Sequence, residues 1–336
     1  MREPASIVVL VTGAAAASVP DALAALAGDG VDLRFAPGEA ELRRALPEAE
    51  VVLAWDNGSP SLVDAWPLAS RVRWVQGVGA GIDRLLFPGL VESDVVLTNA
   101  HGMFDRTIGE YALAVILYFA KELAATVELQ RRHEWRYRPL ARVAGTRLVV
   151  VGAGPIGRAI ARMARSMAMD VTVVGRSARD DDEFGRIEAS VHLPSLLGDA
   201  DYVVAAVPLA QGTRGLIGAR AFAAMRPGAV FLNLGRGPVV DEAALVDALR
   251  EGRLGGAGLD VFEQEPLPPE SPLWDMPNVL VSSHVAGDYP GFEDDLVGLF
   301  AENLRRYRTG QALLNMVDKR LGYVVDHPLA AGPDRR

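Results

Sequence analysis

Arg147-Leu148-Val149-Val150-Val151-Gly152-Ala153-Gly154-Pro155-Ile156-Gly157 is the stretch that decides the fold of this chain. Four apolar residues in a row predict a strand buried on both faces. The glycines follow at once, in the order G-x-G-x-x-G, and the next residues predict a helix over Ile156–Met169. Alone the glycine pattern is weak; between a strand and a helix it has a physical meaning. Gly152 permits a tight turn, Gly154 lets a pyrophosphate approach the backbone, and Gly157 lets helix and strand pack closely. The unpaired N–H groups and the dipole of the helix N-terminus then favour an anion.

The same alternation extends in both directions. Ahead of this stretch, Ile7–Leu10, Val31–Phe35, Val51–Trp55, Val72–Gln76 and Val95–Asn99 predict short strands. Asp21–Ala27, Glu39–Leu46 and Ser61–Ala69 predict the helices between them. Behind it, Val171–Val174, Tyr202–Val207, Val230–Leu234, Gly258–Val261 and Val279–Ser282 predict further strands, and Asp241 reads as the N-cap of a helix through Leu249. A helix over about Phe292–Tyr307 closes the pattern. Continuous apolar strands separated by helices specify an α/β fold of doubly wound parallel sheets. Residues 105–131 predict one long helix, apolar nearly all round at Tyr111–Phe119, which implies cover on several sides. That cover predicts a homodimer. Gln130–Pro139 is basic and aromatic and reads as a solvated or subunit-facing surface.

Composition excludes several classes of function. Half of the 336 residues are hydrophobic and 23% are charged, so the chain has the material for a sizeable core. A net charge of −9 argues against nucleic-acid binding, which relies on neutralising phosphates. With no cysteine, neither disulfides nor thiolates operate, in agreement with a cytoplasmic location. Ile7–Leu26 is apolar, but Pro20 and Asp21 interrupt it and only Arg2 precedes it as a positive charge, so it reads as strand and helix rather than a leader. No long uninterrupted apolar run predicts a membrane span.

The end of the second strand of the nucleotide-binding half, about 20 residues beyond the fingerprint, usually carries the acid that binds an NAD ribose. Here Gly175 stands there, followed by Arg176, Ser177 and Arg179. Guanidinium and hydroxyl groups suit a 2′-phosphate, so NADP(H) is the favoured cofactor and NAD(H) the alternative. Asp180, Asp181 and Asp182 are the acids that could fold back onto the ribose instead.

Three further residues have the chemistry to reduce a 2-oxo acid. Arg236, in a glycine-rich loop after a strand, offers a planar, permanently charged fork for a carboxylate and a developing oxyanion. His284, after the strand Val279–Ser282, can donate a proton near neutral pH, and Glu265 can hold the protonated ring. His101, His133, His192 and His327 lack such a context. No cluster has metal-ligand spacing.

Asn233–Asp241, Gly258–Phe262, Glu265–Pro268, Ser283–Gly287, Gly79–Asp83 and Leu314–Gly322, with the turn at 152–157, resemble the D-isomer-specific 2-hydroxyacid dehydrogenases from about residue 50 to 323. The resemblance implies a reductase of 2-oxo acids to D-2-hydroxy acids, of glyoxylate or hydroxypyruvate type. It implies two flavodoxin- or Rossmann-like domains with a cleft between them: residues 1–102 with 291–336 for the substrate, and 103–290 for the dinucleotide. Arg236, Glu265 and His284 are implied as catalytic, and the amides of Ala80 and Gly81 join Arg236 and His284 in holding substrate. The implied cofactor set is Gly152, Gly154, Pro155, Ile156, Gly157, Arg176, Ser177, Arg179, Val207, Pro208, Thr213, Leu234, Gly235, Asp260 and Gly287. Asp288 and Tyr289 introduce an acid and a phenol just past the proton donor, and Trp55, Met103 and Phe104 are candidates to line the pocket. The rival readings are a nucleotide-sensing, corepressor-like binding protein and a phosphite- or formate-type dehydrogenase on the same scaffold.

Overall fold

Alternation of side chains sets the two faces of the first sheet. In β1 (Ile7–Thr12), Val9 and Val11 point to one face and Leu10 to the other, and all three are fully buried. A strand covered on both faces must lie between layers of helices. The computed structural model, which describes residues 6–210 and 212–324, has that arrangement. β2 (Val31–Ala36), β3 (Val51–Ala54), β4 (Trp74–Gly77) and β5 (Val96–Thr98) join β1 in a parallel sheet of order β2-β1-β3-β4-β5. α1 (Asp21–Ala24), α2 (Glu39–Ala45), α3 (Pro60–Ala65) and α4 (Pro88–Val91) lie between successive strands. Leu42, Leu62 and Ala65 of α2 and α3 cover the Leu10 face. The other face is covered by the C-terminal helix, Phe292–Arg308, through Val297, Phe300 and Leu304. Phe300 stacks on the buried Trp74 with ring centroids 5.3 Å apart.

The chain divides into two compact units, residues up to 103 with those from 290 onward, and residues 104–289. The second unit begins with α5 (Asp105–Ala120) and α6 (Leu123–Arg131). Then come β6 (Arg147–Val151), α7 (Pro155–Ser166), β7 (Asp170–Gly175), β8 (Arg179–Asp181), β9 (Gly185–Ala189) and α8 (Leu193–Leu196). β10 (Tyr202–Ala205), α9 (Ala219–Ala224), β11 (Ala229–Asn233), α10 (Glu242–Arg250), β12 (Leu254–Leu259) and β13 (Val279–Val281) complete it. The sheet order is β13-β12-β11-β10-β6-β7-β9-β8. Strand order reverses direction between β6 and β10, and ligands of such sheets bind outside the carboxyl ends of the strands at that point. As expected, Asp241 caps α10 by accepting the N–H of Ala244 at 3.0 Å.

One expectation is corrected. The long helix over 105–131 is broken: Glu122 adopts a left-handed conformation (φ 45°) and separates α5 from α6. Part of the apolar surface of α5 is covered inside its own unit, through Ile108, Ala112, Val115, Ile116 and Ala120, while Leu113, Leu117, Tyr118 and Phe119 stay half-buried. A Cβ at Gly258 would lie 2.3 Å from Val115 and one at Gly256 2.5 Å from Phe119, so two glycines of β12 let α5 settle directly on the sheet. Gly109 meets Met163 of α7 in the same way. The hairpin β8–β9 was not read from the sequence, because Arg179–Asp181 and Gly185–Ala189 are polar and mostly exposed, as an edge is.

Candidate active site

The dinucleotide turn is built by two glycines and left open by a third. A Cβ on Gly152 would stand 2.3 Å from the Ala206 carbonyl oxygen, and one on Gly157 would stand 1.9 Å from that of Gly152. Both positions admit only glycine, because β6, β10 and α7 converge there. A Cβ on Gly154 would meet nothing within 4 Å. Internal packing does not ask for glycine at 154, and a glycine there leaves the backbone open to a pyrophosphate. Gly154 is the N-cap of α7 and gives it no side-chain cap, Pro155 fills the first helical position, and the Ile156 and Gly157 amides follow in the first turn. These residues fit a pyrophosphate.

The adjoining edge has no room for a ribose-binding acid on β7. A Cβ on Gly175 would lie 2.9 Å from Ile187, 3.1 Å from Arg179 Nη1 and 3.3 Å from Ala153 Cβ. The Arg179 guanidinium thus lies beside the fingerprint, while Arg176 and Ser177 are exposed at the rim. Asp181 is occupied elsewhere: it pairs with Arg158 of α7 and accepts the N–H groups of Glu183 (3.1 Å) and Phe184 (3.0 Å). The Arg158 bond, the largest favourable influence, holds its carboxyl below the usual range. Asp180 projects outward, with Arg186 at 3.9 Å.

At the end of β11 the chain folds over the neighbouring strand. A Cβ on Gly235 would lie 2.7 Å from the Val207 carbonyl oxygen, so Leu234-Gly235 and Val207-Pro208 share one wall. Thr213 closes the 208–213 loop, donating to the Pro208 carbonyl at 2.6 Å and accepting from the Ala210 N–H at 2.8 Å. Asn233, 1% exposed, accepts the Gly235 N–H and donates to the Arg236 carbonyl, which fixes the turn that carries Arg236. Sequence reading missed Asn233 as a positioning residue, although an amide just before a glycine-arginine turn was the available signal.

His284 and Glu265 meet as expected. Glu265 Oε2 is 2.8 Å from His284 Nδ1, and Glu265 Oε1 accepts the Phe262 N–H at 3.0 Å. With Nδ1 directed at the carboxylate, Nε2 is the nitrogen able to serve an outside acceptor. Burial alone raises the carboxyl of Glu265, but the His284 bond, the Phe262 N–H and the charges of His284 and Arg236 outweigh it and keep the group below its ordinary value. Glu265 is accordingly an anion at neutral pH. His284 has φ +58°, a conformation that costs a non-glycine residue roughly 1–2 kcal/mol. Asp260, also expected in the cofactor set, is 2% exposed and directs its carboxylate to the backbone just past His284. Gly287 packs against Phe104, whose Cδ1 would be 3.2 Å from an added Cβ. Asp288 is raised by burial and senses the charges of both His284 and Asp260.

In the first unit, the loop Gly79-Ala80-Gly81 is held by its carbonyls. Asn99 Nδ2 donates to Ala80 O at 2.7 Å, and Asn57 Nδ2 to Gly81 O at 3.0 Å. Asn315 braces this frame by donating to Asn99 O and His101 O. Tying down the carbonyls leaves the Ala80 and Gly81 amides, which have no hydrogen bond to protein among the described residues, as the loop's donors. The three asparagines were not anticipated: they lie far apart in sequence. Trp55 packs on the core of this unit. His327 lies outside the described residues. Among the described residues, no group of three or more His, Asp or Glu side chains could hold a metal, and no helix is long and apolar enough to cross a membrane.

Comparison with known proteins agrees with this geometry. Residues 113–286 match the family model for the D-isomer specific 2-hydroxyacid dehydrogenase NAD binding domain. A glyoxylate reductase of Korarchaeum cryptofilum is 32% identical over 266 residues, 77% of this chain and 80% of that protein. Among solved structures, an NADPH-dependent glyoxylate/hydroxypyruvate reductase from Sinorhizobium meliloti, in complex with NADP and sulfate, superposes with a TM-score of 0.82. It is 32% identical and covers 95% of this chain and 100% of that one. A D-isomer specific 2-hydroxyacid dehydrogenase from Xanthobacter autotrophicus, in complex with NADPH and MES, gives 0.81 at 31% identity, over 95% and 100% of the two chains.

Proposed function

Because the chain belongs to the D-isomer specific 2-hydroxyacid dehydrogenases, we propose that it reduces a small 2-oxo acid to the D-2-hydroxy acid with NADP(H), His284 being the proton donor. The observation that carries this reading is the 2.8 Å pairing of His284 with an ionised Glu265 under the influence of Arg236. The nicotinamide, when bound, supplies hydride to the carbonyl carbon. Negative charge then builds on the carbonyl oxygen, where Arg236 stabilises it and His284 Nε2 protonates it. Glu265 holds Nδ1 and so faces Nε2 outward. Ala80 and Gly81 amides are our candidates for the substrate carboxylate. The direct test is turnover of a panel of 2-oxo acids, glyoxylate and hydroxypyruvate included, with NADPH and with NADH, and determination of product chirality. Binding of nucleotide without turnover favours the sensing reading; turnover of phosphite or formate instead favours the third.

For the cofactor, Arg179 beside the fingerprint and Arg176 at the rim are the residues proposed to bind a 2′-phosphate. A charge-assisted hydrogen bond contributes about 1.5–3 kcal/mol, which is roughly tenfold or more in discrimination. Arg179→Ala and Arg176→Ala are therefore expected to lower kcat/KM for NADPH at least about tenfold more than for NADH. An equal fall with both cofactors removes these residues from that role.

We also propose a homodimer, through α5, α6 and the segment that follows them. Trp135 is 101% exposed and Tyr137 90%, and Leu123, Val127 and Leu140 are exposed near them in sequence. The segment is tied to the helix end: Arg138 grips Glu122 and Thr126, and Lys121 Nζ donates to the Ala141 carbonyl at 2.7 Å. Large aromatics held out in water on a braced segment mark an association surface. Light scattering at micromolar concentration is expected to give about twice the 35.9 kDa chain mass, reverting to one chain in Trp135→Ala/Tyr137→Ala. A monomeric wild-type protein rules the proposal out.

A further inference from the structure

Three polar side chains form a one-way chain of hydrogen bonds that ends on the turn carrying His284. The Tyr111 hydroxyl, on α5, donates to Ser282 Oγ at 2.6 Å. Ser282 Oγ donates to Asp260 Oδ1 at 2.6 Å. The Asp260 carboxylate then accepts the N–H groups of Val285 at 2.9 Å and Ala286 at 3.0 Å. Proton supply fixes the direction: a hydroxyl has one proton, so Ser282 can serve the carboxylate only while accepting from the phenol. Burial, the largest influence, keeps the Tyr111 phenol above its ordinary range, so it remains a donor across neutral pH.

The turn needs this support. His284 sits at φ +58°, and such backbone persists only where its surroundings over-determine it. The two residues bound by Asp260 are those immediately after it. Glu265 fixes the imidazole from the other side, through Nδ1. The charges of His284 and Arg236 lower the Glu265 carboxyl, and that of His284 lowers Asp288.

We propose that Tyr111, Ser282 and Asp260 are positioning residues for His284, fixing through the Val285 and Ala286 amides the direction in which its imidazole faces. The proposal rests on the reading of His284 as proton donor. It gives α5 a part in the chemistry without touching the reacting atoms, and it gives the carboxylate of Asp260 a use within the protein.

The test uses the full chain with Ser282→Ala, Ser282→Thr, Tyr111→Phe and the double variant Tyr111→Phe/Ser282→Ala. Small misplacements of a catalytic group cost rate rather than binding, so kcat for glyoxylate with NADPH is expected to fall about tenfold in Ser282→Ala and about threefold in Tyr111→Phe. KM for glyoxylate and Kd for NADPH should stay within about twofold, and Ser282→Thr, which keeps the hydroxyl, should restore kcat. The double variant should be no slower than Ser282→Ala, because both changes cut one chain. Amide exchange over residues 283–287 should quicken in Ser282→Ala and in Tyr111→Phe. Unchanged exchange with unchanged kcat, a loss that falls on KM or Kd, or failure of threonine to restore the rate overturns the proposal. A wild-type protein that reduces no 2-oxo acid refutes the functional reading instead. Exchange then still decides the positioning: faster exchange upholds it and unchanged exchange ends it.

Discussion

His284→Ala is expected to lose at least about 10² in kcat for 2-oxo acid reduction, since general acid catalysis contributes roughly 10²–10⁴. NADPH should still bind with little change, because the turn at Gly152–Gly157 and the Arg179 guanidinium beside it do not depend on the imidazole. Titration of nucleotide fluorescence and steady-state kinetics on the same preparation separate the two effects. Glu265 supplies the pH part of the prediction. Its carboxyl lies below the ordinary range, the His284 bond being the largest lowering influence, so it is charged throughout the neutral region. Glu265→Gln keeps the shape and an acceptor for the Phe262 N–H but removes the negative charge. Because the wild-type carboxyl is neutralised only well into acid, below the ordinary carboxyl range, Glu265→Gln should lower kcat about tenfold across the neutral region and leave no acid loss that depends on this group. An alanine variant at 284 with near wild-type kcat, or a Glu265→Gln profile unmoved, rules out this proton donor.

Replacing Arg236 should produce the second large effect. A donor aimed at developing negative charge is worth about 10²–10³ in kcat when removed. Arg236→Ala is therefore expected to lower kcat/KM for the 2-oxo acid by at least about 10², with NADPH affinity nearly unchanged. Arg236→Lys should recover only part of this, because an ammonium is a point charge that cannot form two parallel bonds to a carboxylate. Its remaining deficit should lie mainly in KM. The variants should fold, since the turn itself is held by the Asn233 side chain, which accepts the Gly235 N–H and donates to the Arg236 carbonyl. If both variants bind and turn over the 2-oxo acid as the wild type does, the guanidinium does not contact substrate. Circular dichroism on the same samples distinguishes a local loss from unfolding.

The amino-acid sequence by itself determined the class of fold. Apolar runs such as Val51–Ala54 and Tyr202–Ala205 are buried along their whole length, and periodicity is a local property that each segment carries alone. The glycine turn was equally legible, because backbone sterics fix which residues a tight strand-to-helix turn accepts. Arg236, Glu265 and His284 could be named from residue type and position after strands. Their partners could not. Tyr111 and Ser282 stand 171 residues apart, and only the packing of α5 against glycines 256 and 258 of β12 carries the helix onto the sheet edge. The direction of the Asp260 carboxylate depends on the course of the chain past His284, which no local pattern encodes. The break at Glu122 went unread for the opposite reason. Helical periodicity continues through it, and a left-handed residue is selected by tertiary contacts, here Arg138 on the Glu122 carboxylate and carbonyl. Sequence thus set what each segment prefers, and tertiary structure decided which polar groups meet, because hydrogen-bond partners are chosen by position in space.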